Sequence, residues 1–116
     1  MIEKTQLLKG VLEGAILGII SEKETYGYKL LDKLKQNGFL IGDGSIYPLL
    51  LRMEKKELIK GEMRPSSDGP NRKYYSLTEK GEQSLLEFKH FWDSVNKAVK
   101  KSIYTKDDDY KNETIS

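Results

Sequence analysis

A turn signal between two strand-like runs constrains the fold of this chain more than any other feature of its sequence. The segment SDGPN, residues 67 to 71, combines Asp-Gly with a proline and an asparagine, and these residues favour tight turns. The runs LIKGEMRPS and RKYYSLT flank it and have the composition of short strands. The sequence therefore predicts one β-hairpin, and both of its strands carry basic residues.

Helical patterns occupy the chain before this hairpin. The first runs from residue 5 to about 20 and contains a stripe of glycines, Gly10, Gly14 and Gly18. This stripe either permits close approach of another helix, or leaves a hollow, or consists of incidental small residues. The second pattern, SEKETYGYKLLDKLKQNG, has Thr25 as a candidate N-cap and Tyr28 on its predicted core-facing side.

The third pattern is GSIYPLLLRMEKKELIKG, residues 44 to 61. Its apolar residues recur at spacings of three and four and define one buried face: Ile46, Leu49, Leu50 and Met53. If Gly44 or Ser45 caps this helix, Pro48 lies in the first turn, where its missing N–H removes no intrahelical bond. Ser45 and Tyr47 then lie at the exposed N-terminal end, which is a favourable place for phosphate.

Helices followed by a basic hairpin predict a winged helix-turn-helix, whose third helix enters the major groove of DNA. In that arrangement Arg52 reaches a phosphate or a guanine edge, and Arg64, Arg72 and Lys73 of the hairpin contact phosphates. Each residue also has a simpler interpretation. Tyr47 could pack on its neighbours, and the cations could be solvated, so the hypothesis depends on their order and spacing together.

The last helical pattern follows Thr78, a candidate N-cap, and carries a narrow seam of coiled-coil type. Its seam residues are Leu85, Phe88, Trp92, Val95, Val99 and then Ser102 or Ile103. The predicted fold class is therefore mainly α with a small β-hairpin wing (α+β), in which a long C-terminal dimerisation helix follows a winged helix-turn-helix. We predict a DNA-binding domain over residues 1–78, the helix over 79–104 and a disordered acidic tail over 105–116.

Charge and composition narrow the function classes. The net charge of +2 is uninformative as a total, because the acidic tail offsets basic residues elsewhere. The chain contains no cysteine, which suits a reducing compartment, and no segment resembles a signal peptide, so we predict a cytoplasmic protein. His90 is the only histidine, and no nucleophile has a positioned base, so the sequence predicts no enzyme activity, metal or cofactor.

Several of these segments resemble the PadR-like family of bacterial transcriptional regulators. The resemblance is carried by GSIYPLLLRMEKKELI and DGPNRKYYSLTEKGEQSL, together with LLKGVLEGAILGII and TYGYKLLDKL, and it spans residues 7 to about 100. It implies a homodimer that acts mostly as a repressor, and two copies of the third helix would then read a pseudo-palindromic operator. It also implies that Ser45, Tyr47, Arg72 and Lys73 contact double-stranded DNA and that Tyr26 lies near the phosphate backbone.

The short C-terminal part is similar to the branch of the family that includes multidrug-sensing repressors. This resemblance implies that Trp92 lines a site for a planar aromatic or cationic effector, and the residues around it would be Gly14, Gly18, Leu85, Phe88 and Asn96. It also implies a dimer interface, which we assign to Leu8, Leu12, Leu85, Phe88, Trp92, Val95 and Val99. Trp92 could instead serve only as interface core, and Phe88 could fill the space.

A protein-interaction module without sequence-specific DNA binding is the alternative from another class. Winged helices also bind proteins, and the seam around Trp92 could recruit the helix of another protein. Such a module would not need the combination of Tyr47, Arg72 and Lys73. This combination therefore distinguishes the two hypotheses.

Overall fold

The computed structural model describes residues 4–104, so the predicted acidic tail lies outside the described residues. The described chain contains helices and one antiparallel sheet, as the fold-class prediction requires. In chain order the elements are α1 (Lys4–Glu22), β1 (Thr25–Tyr26), α2 (Gly27–Gln36), α3 (Asp43–Lys55), β2 (Ile59–Ser66), β3 (Gly69–Leu77) and α4 (Glu79–Ile103). The predicted α+β winged-helix fold is confirmed.

The sheet has the strand order β1-β3-β2, so the predicted hairpin is joined by a third, very short strand. Thr25 pairs with Tyr75 and Tyr26 pairs with Tyr74. Thr25 was predicted as a helix cap, and this prediction is wrong because the residue lies buried in β1. The hairpin turn is also tighter than predicted, since Ser66 pairs with Gly69.

Helix α2 begins one residue later than its sequence pattern suggests. Tyr26 precedes it in an extended conformation, with φ −108° and ψ 164°. Tyr28, predicted to face the core, is 70% exposed, so that prediction is wrong. The buried residues of α2 are Gly27, Leu30, Leu31 and Leu34, and at helical spacing Tyr28 lies to the side of the face that they define. Gly38 ends the segment with φ +107°, a conformation that favours glycine.

The core of the first compact unit, which ends at Leu86, contains residues from every helix and from the sheet. Its fully buried side chains are Ile16, Leu30, Leu34, Ile46, Leu50, Met53 and Ile59. The start of α4 is tied to this core by a cap, because Thr78 Oγ1 accepts a hydrogen bond from the Gly81 N–H at 3.0 Å. Gly81 has no room for a side chain, since a Cβ there would overlap the Leu58 carbonyl oxygen.

The second compact unit begins at Glu87 and is helical up to Ile103. Over residues 87–104, all side chains are exposed except those of Phe88 and Val95, which are partly buried. Apolar side chains dominate one side of this helix, and among them Trp92, Val99 and Ile103 are exposed. Within residues 4–104, no helix combines the length and the apolar character that crossing a membrane requires.

Candidate nucleic-acid interface

Helix α3 has the predicted buried face, but it starts earlier than expected. The N-cap is Gly42, whose carbonyl oxygen accepts bonds from the N–H groups of Ser45 (3.1 Å) and Ile46 (3.3 Å). Pro48 is therefore the sixth helical residue, and the expectation that it lies in the first turn is wrong. Because proline has no N–H, the carbonyl of exposed Gly44 lacks its usual partner one turn later.

The outward face of α3 is defined by the positions opposite its buried residues. Gly44, Pro48, Leu51 and Lys55 follow one another at spacings of three and four along the middle of this face, and all are exposed. Ser45 and Arg52 lie exposed beside this line, as the sequence predicts. Among residues 4–104, no carboxylate lies within salt-bridge distance of the Arg52 guanidinium.

The start of α3 is less attractive to phosphate than the sequence suggested. Asp43 is the first residue of the helix, and its carboxylate interacts favourably with the positive end of the helix dipole. A phosphate at the same place would meet this negative charge. Side chains farther along α3 and on other elements are therefore better placed to attract a phosphate than the start of α3.

Tyr47 packs against α2 and still presents half of its surface to solvent. Its side chain is 49% exposed, and its ring lies directly over Gly27, the first residue of α2. A Cβ at position 27 would lie 2.5 Å from Tyr47 Cε1 and 3.2 Å from the hydroxyl oxygen. The ring is therefore held in place by packing, as one interpretation of Tyr47 expects, and half of its surface stays accessible.

A cavity of about 250 Å³ lies where β1, α2, α3 and β3 meet. Its walls combine aromatic rings with two cations: Tyr26, Gly27, Tyr28, Tyr47, Arg72, Lys73 and Tyr75. Burial raises the pKa of Tyr75 above its ordinary value. Sequence reasoning assigned Tyr26, Tyr47, Arg72 and Lys73 to DNA contact, and the fold brings these four together. It placed Tyr28 in the core instead and assigned no role to Gly27.

The outer face of the wing carries a row of two adjacent rings with a cation at each end. The Arg72 guanidinium lies 4.5 Å from the centroid of the Tyr26 ring. Tyr26 meets Tyr74 edge to face, with the centroids 5.4 Å apart, and the Arg64 guanidinium lies 4.9 Å from the Tyr74 centroid. Cation–π contacts of this kind hold long cationic side chains in a defined direction. Pairing of β1 with β3 creates this row.

The predicted wing cations differ in whether a carboxylate already pairs with them. Arg64 lies 2.6 Å from Glu24 and 3.1 Å from Glu62, and these hydrogen bonds raise the pKa of Arg64. Lys73 Nζ lies 2.8 Å from Glu54 Oε1, and this hydrogen bond raises the pKa of Lys73. Arg72 has no carboxylate within salt-bridge distance in the described part of the chain.

Residues predicted for the dimer interface and the effector site occur in both compact units. In the first unit, Leu12 and Leu85 belong to the buried core, Gly14 is buried, and Leu8 is partly buried. A Cβ at Gly18 would touch the Leu85 side chain at 4.0 Å. Leu12 and Leu85 therefore have little surface left for a partner, whereas Leu8 retains some.

In the second unit the predicted residues are more accessible. The rings of Phe88 and Trp92 stack, with centroids 6.2 Å apart and an angle of 14° between their planes. Trp92 is 43% exposed, Val95 is partly buried, and Asn96 and Val99 are exposed. Phe91 is also exposed and was missed, because it lies outside the strict coiled-coil spacing.

Comparisons with known proteins identify relatives across most of the chain. The model of the Transcriptional regulator PadR-like family matches residues 16–87. A PadR-like transcriptional regulator from Bacillus cereus, known from a crystal structure, is 53% identical; the match covers 87% of this chain and 99% of that one, with a TM-score of 0.79. A Streptococcus transcriptional regulator is 48% identical, with 87% and 100% covered and a TM-score of 0.80.

A transcriptional regulator from Mycobacterium tuberculosis is 33% identical over 72 residues, which are 62% of this chain and 66% of that protein. The matched region of the family model contains α2, α3, the whole sheet and the start of α4. The chain therefore belongs to the PadR-like family of transcriptional regulators, as its sequence predicts, and it is not an enzyme.

Proposed function

We propose that this protein is a homodimeric repressor that binds a pseudo-palindromic operator and responds to a small aromatic effector. The observation that carries the DNA-binding part is the cavity shared by Tyr26, Tyr47 and Arg72. Three elements contribute phenol hydroxyls and a guanidinium to one surface, and these groups donate hydrogen bonds to phosphate oxygens. The interaction-module alternative gives no reason for this grouping, and membership in a family of transcriptional regulators does not favour it.

In the proposed complex, the outward face of α3 lies in the major groove, which is wide enough for a helix. Arg52 and Lys55 are both exposed on α3, and neither has a carboxylate partner among residues 4–104. Arg52 is better suited to reach a guanine edge or a phosphate, because its planar guanidinium can donate two parallel hydrogen bonds. Ser45 and Tyr47 would contact the phosphate backbone on either side of that face. Arg72, supported by the Tyr26 ring, would contact a further phosphate.

The dimer would form through the exposed apolar side of α4. Trp92, Val95 and Val99 share this side, and Leu8 of α1 adds apolar surface. A symmetric dimer carries two copies of α3, which fit half-sites about one helical turn, or a multiple of it, apart. We thus assign residues 1–78 to DNA binding and 79–104 to dimerisation, in the cytoplasm where the chromosome lies.

The effector would stack on the Trp92 ring at the interface between the two copies. Flat aromatic cations suit such a ring, because stacking and the negative π-face both contribute. Phe88 already covers part of Trp92, so the effector must share the ring or displace Phe88. The dimer would have arrangements that differ in the distance between the two copies of α3. The effector would act by binding one of these arrangements more tightly than another.

The DNA-binding proposal is tested by selecting duplexes from a random library with the full-length protein at low salt. We expect enrichment of a two-fold symmetric sequence and an affinity that falls steeply as salt increases. Arg52→Ala and Arg72→Gln each remove a proposed DNA contact, so both should bind the selected duplex more weakly than the wild type. If the folded dimer enriches no duplex at low salt, the proposed function is wrong.

The effector proposal has a direct optical test, because Trp92 is the only tryptophan of the chain. Titration with planar aromatic cations should quench its fluorescence and change the affinity for the selected duplex. A neutral aliphatic compound of similar mass is the control. An unchanged spectrum across a broad panel of planar cations would count against the effector site and leave DNA binding unaffected.

A further inference from the structure

The ion pair between Lys73 and Glu54 joins the wing, which is the hairpin of β2 and β3, to helix α3. Lys73 lies on β3, Glu54 lies on α3, and their charged atoms are 2.8 Å apart. We propose that Lys73 is a positioning residue: it holds the wing against α3 through Glu54, so that Arg72 and the outward face of α3 reach DNA together. This inference deepens the proposed DNA-binding function, and it reassigns a residue that the sequence pattern marks as a phosphate contact.

The path of the Lys73 side chain supports this role. A Cβ at Gly61 would overlap Lys73 Cε and would lie 3.1 Å from both Cγ and Cδ. The aliphatic part of Lys73 therefore lies across the bare backbone of Gly61 on β2 before its ammonium reaches Glu54. A glycine inside a strand often marks the close approach of another group, and here that group is the lysine stem.

The surroundings of the ammonium favour the pair over a free cation. Lys73 Nζ lies 5.7 Å from the centroid of the Tyr75 ring, and Glu54 is only 23% exposed. To bind a phosphate, Lys73 would have to leave this half-buried carboxylate without a partner. Arg72, its neighbour in sequence, points to the other face of β3 because successive strand residues alternate, and no described carboxylate pairs with it.

We call the Lys73–Glu54 ion pair that holds the wing against α3 the clasp. Gly61→Ala tests the clasp without changing any charge. The added methyl group displaces the flexible lysine stem, so the ion pair breaks while the backbone stays in place. If Lys73 positions the wing, DNA affinity falls by about twofold to fivefold, the range that exposed ion pairs supply. If Lys73 is a phosphate ligand held back by Glu54, its release strengthens binding instead.

Gly69→Ala is the matched control, because Gly69 lies in the same hairpin and an added Cβ meets open space. Its affinity should stay within about twofold of the wild type, below the range expected from loss of the ion pair. The salt dependence provides a second comparison. Arg72→Gln should reduce the slope of log affinity against log salt by about 1, as loss of a phosphate contact does, whereas Lys73→Gln should leave the slope unchanged.

A charge swap keeps the proposal testable if Gly61→Ala folds poorly. Lys73→Glu alone should weaken binding strongly, because two carboxylates then face each other, and adding Glu54→Lys should restore affinity to within about twofold of the wild type if the pair is what matters. Tighter binding by Gly61→Ala, a reduced salt slope for Lys73→Gln, or no recovery in the swapped variant would each overturn the clasp.

Failure of the clasp and failure of the proposed function give different results. If the wild-type protein enriches no duplex, DNA binding itself is refuted. If it enriches a duplex but the variants behave as phosphate-ligand variants, only the clasp is refuted. A double-mutant cycle of Glu54→Gln and Lys73→Gln in unfolding experiments measures the pair without DNA. We expect a coupling of about twofold to fivefold in the equilibrium constant, and its absence would contradict the proposal.

Discussion

Two surfaces of the protein are exposed: the one formed by α3 and the wing, and the apolar side of α4. They differ in whether their side chains have partners within the same chain. On the first surface, rings and cations have partners within the chain: Tyr47 rests on Gly27, Arg72 on Tyr26, and Lys73 on Glu54. Along α4 from Phe88 onward, apolar side chains such as Trp92 remain half exposed within the described chain. The first surface therefore presents charged and aromatic groups that already have partners within the chain, whereas the second presents apolar side chains that stay exposed among the described residues.

The largest expected effect comes from placing a charge on the apolar side of α4. In the proposed dimer, the carboxylate of Trp92→Glu would be buried without a partner, which costs several kcal/mol. We expect the dimer dissociation constant to rise by at least about 100-fold, since each 1.4 kcal/mol is tenfold. Sedimentation equilibrium measures this change.

Ser94→Glu is the control for the α4 variant, because Ser94 is exposed on the opposite side of the same helix and acquires the same charge. It should leave the dimer intact. If both variants have the same dimer dissociation constant, the apolar side of α4 is not the interface. The difference proposed between the two surfaces would then be wrong.

The next largest effect comes from adding a methyl group under Tyr47. Gly27→Ala places a Cβ against the Tyr47 ring, and overpacking of this kind costs about 1–3 kcal/mol of stability. Displacement of the ring should also weaken DNA binding. Denaturant unfolding and DNA titration measure the two effects. Gly10→Ala, where the added Cβ meets open space, should not destabilise the protein; equal losses in both variants would refute the role of the packed ring.

The sequence predicts the parts of these surfaces that depend on local patterns. The buried face of α3 follows from the spacing of Ile46, Leu49, Leu50 and Met53, and the hairpin follows from its turn residues. Strand β1 could not be predicted, because Thr25 and Tyr26 are too few to show alternation and become a strand only by pairing with distant β3. Unless β1 is known, the contacts of Tyr26 with Tyr74 and Arg72 cannot be predicted.

The partners of charged residues are equally hidden in the sequence. Lys73 and Glu54 are nineteen residues apart and lie on different elements, so only the fold brings them together. The start of α3 was misjudged for a related reason: Gly44 is a poor helix former, yet the helix includes it and begins at Asp43. Here the packing of the following apolar residues outweighs local propensity.

A smaller effect is expected at Gly44, where stability and binding should change in opposite directions. Gly44→Ala adds a methyl group in open space inside a helix, which should stabilise the fold by up to about 1 kcal/mol. The same methyl group lies on the outward face of α3 and would press against DNA, so affinity should fall about tenfold, as overpacking of 1–3 kcal/mol implies. Thermal unfolding and anisotropy titration measure both. Unchanged affinity would show that the N-terminal half of α3 does not approach DNA.

The smallest expected effect is at Arg64, and it separates paired from unpaired cations within the wing. Arg64 is already held by Glu24 and Glu62, so Arg64→Gln removes little attraction for DNA; we expect less than a twofold change in affinity and no change in the salt slope. Arg72→Gln on the same hairpin is the comparison, and it should lower both. If the two variants lose affinity and slope equally, pairing with a carboxylate does not decide which wing cations contact DNA, and Arg64 belongs with Arg72 at the interface.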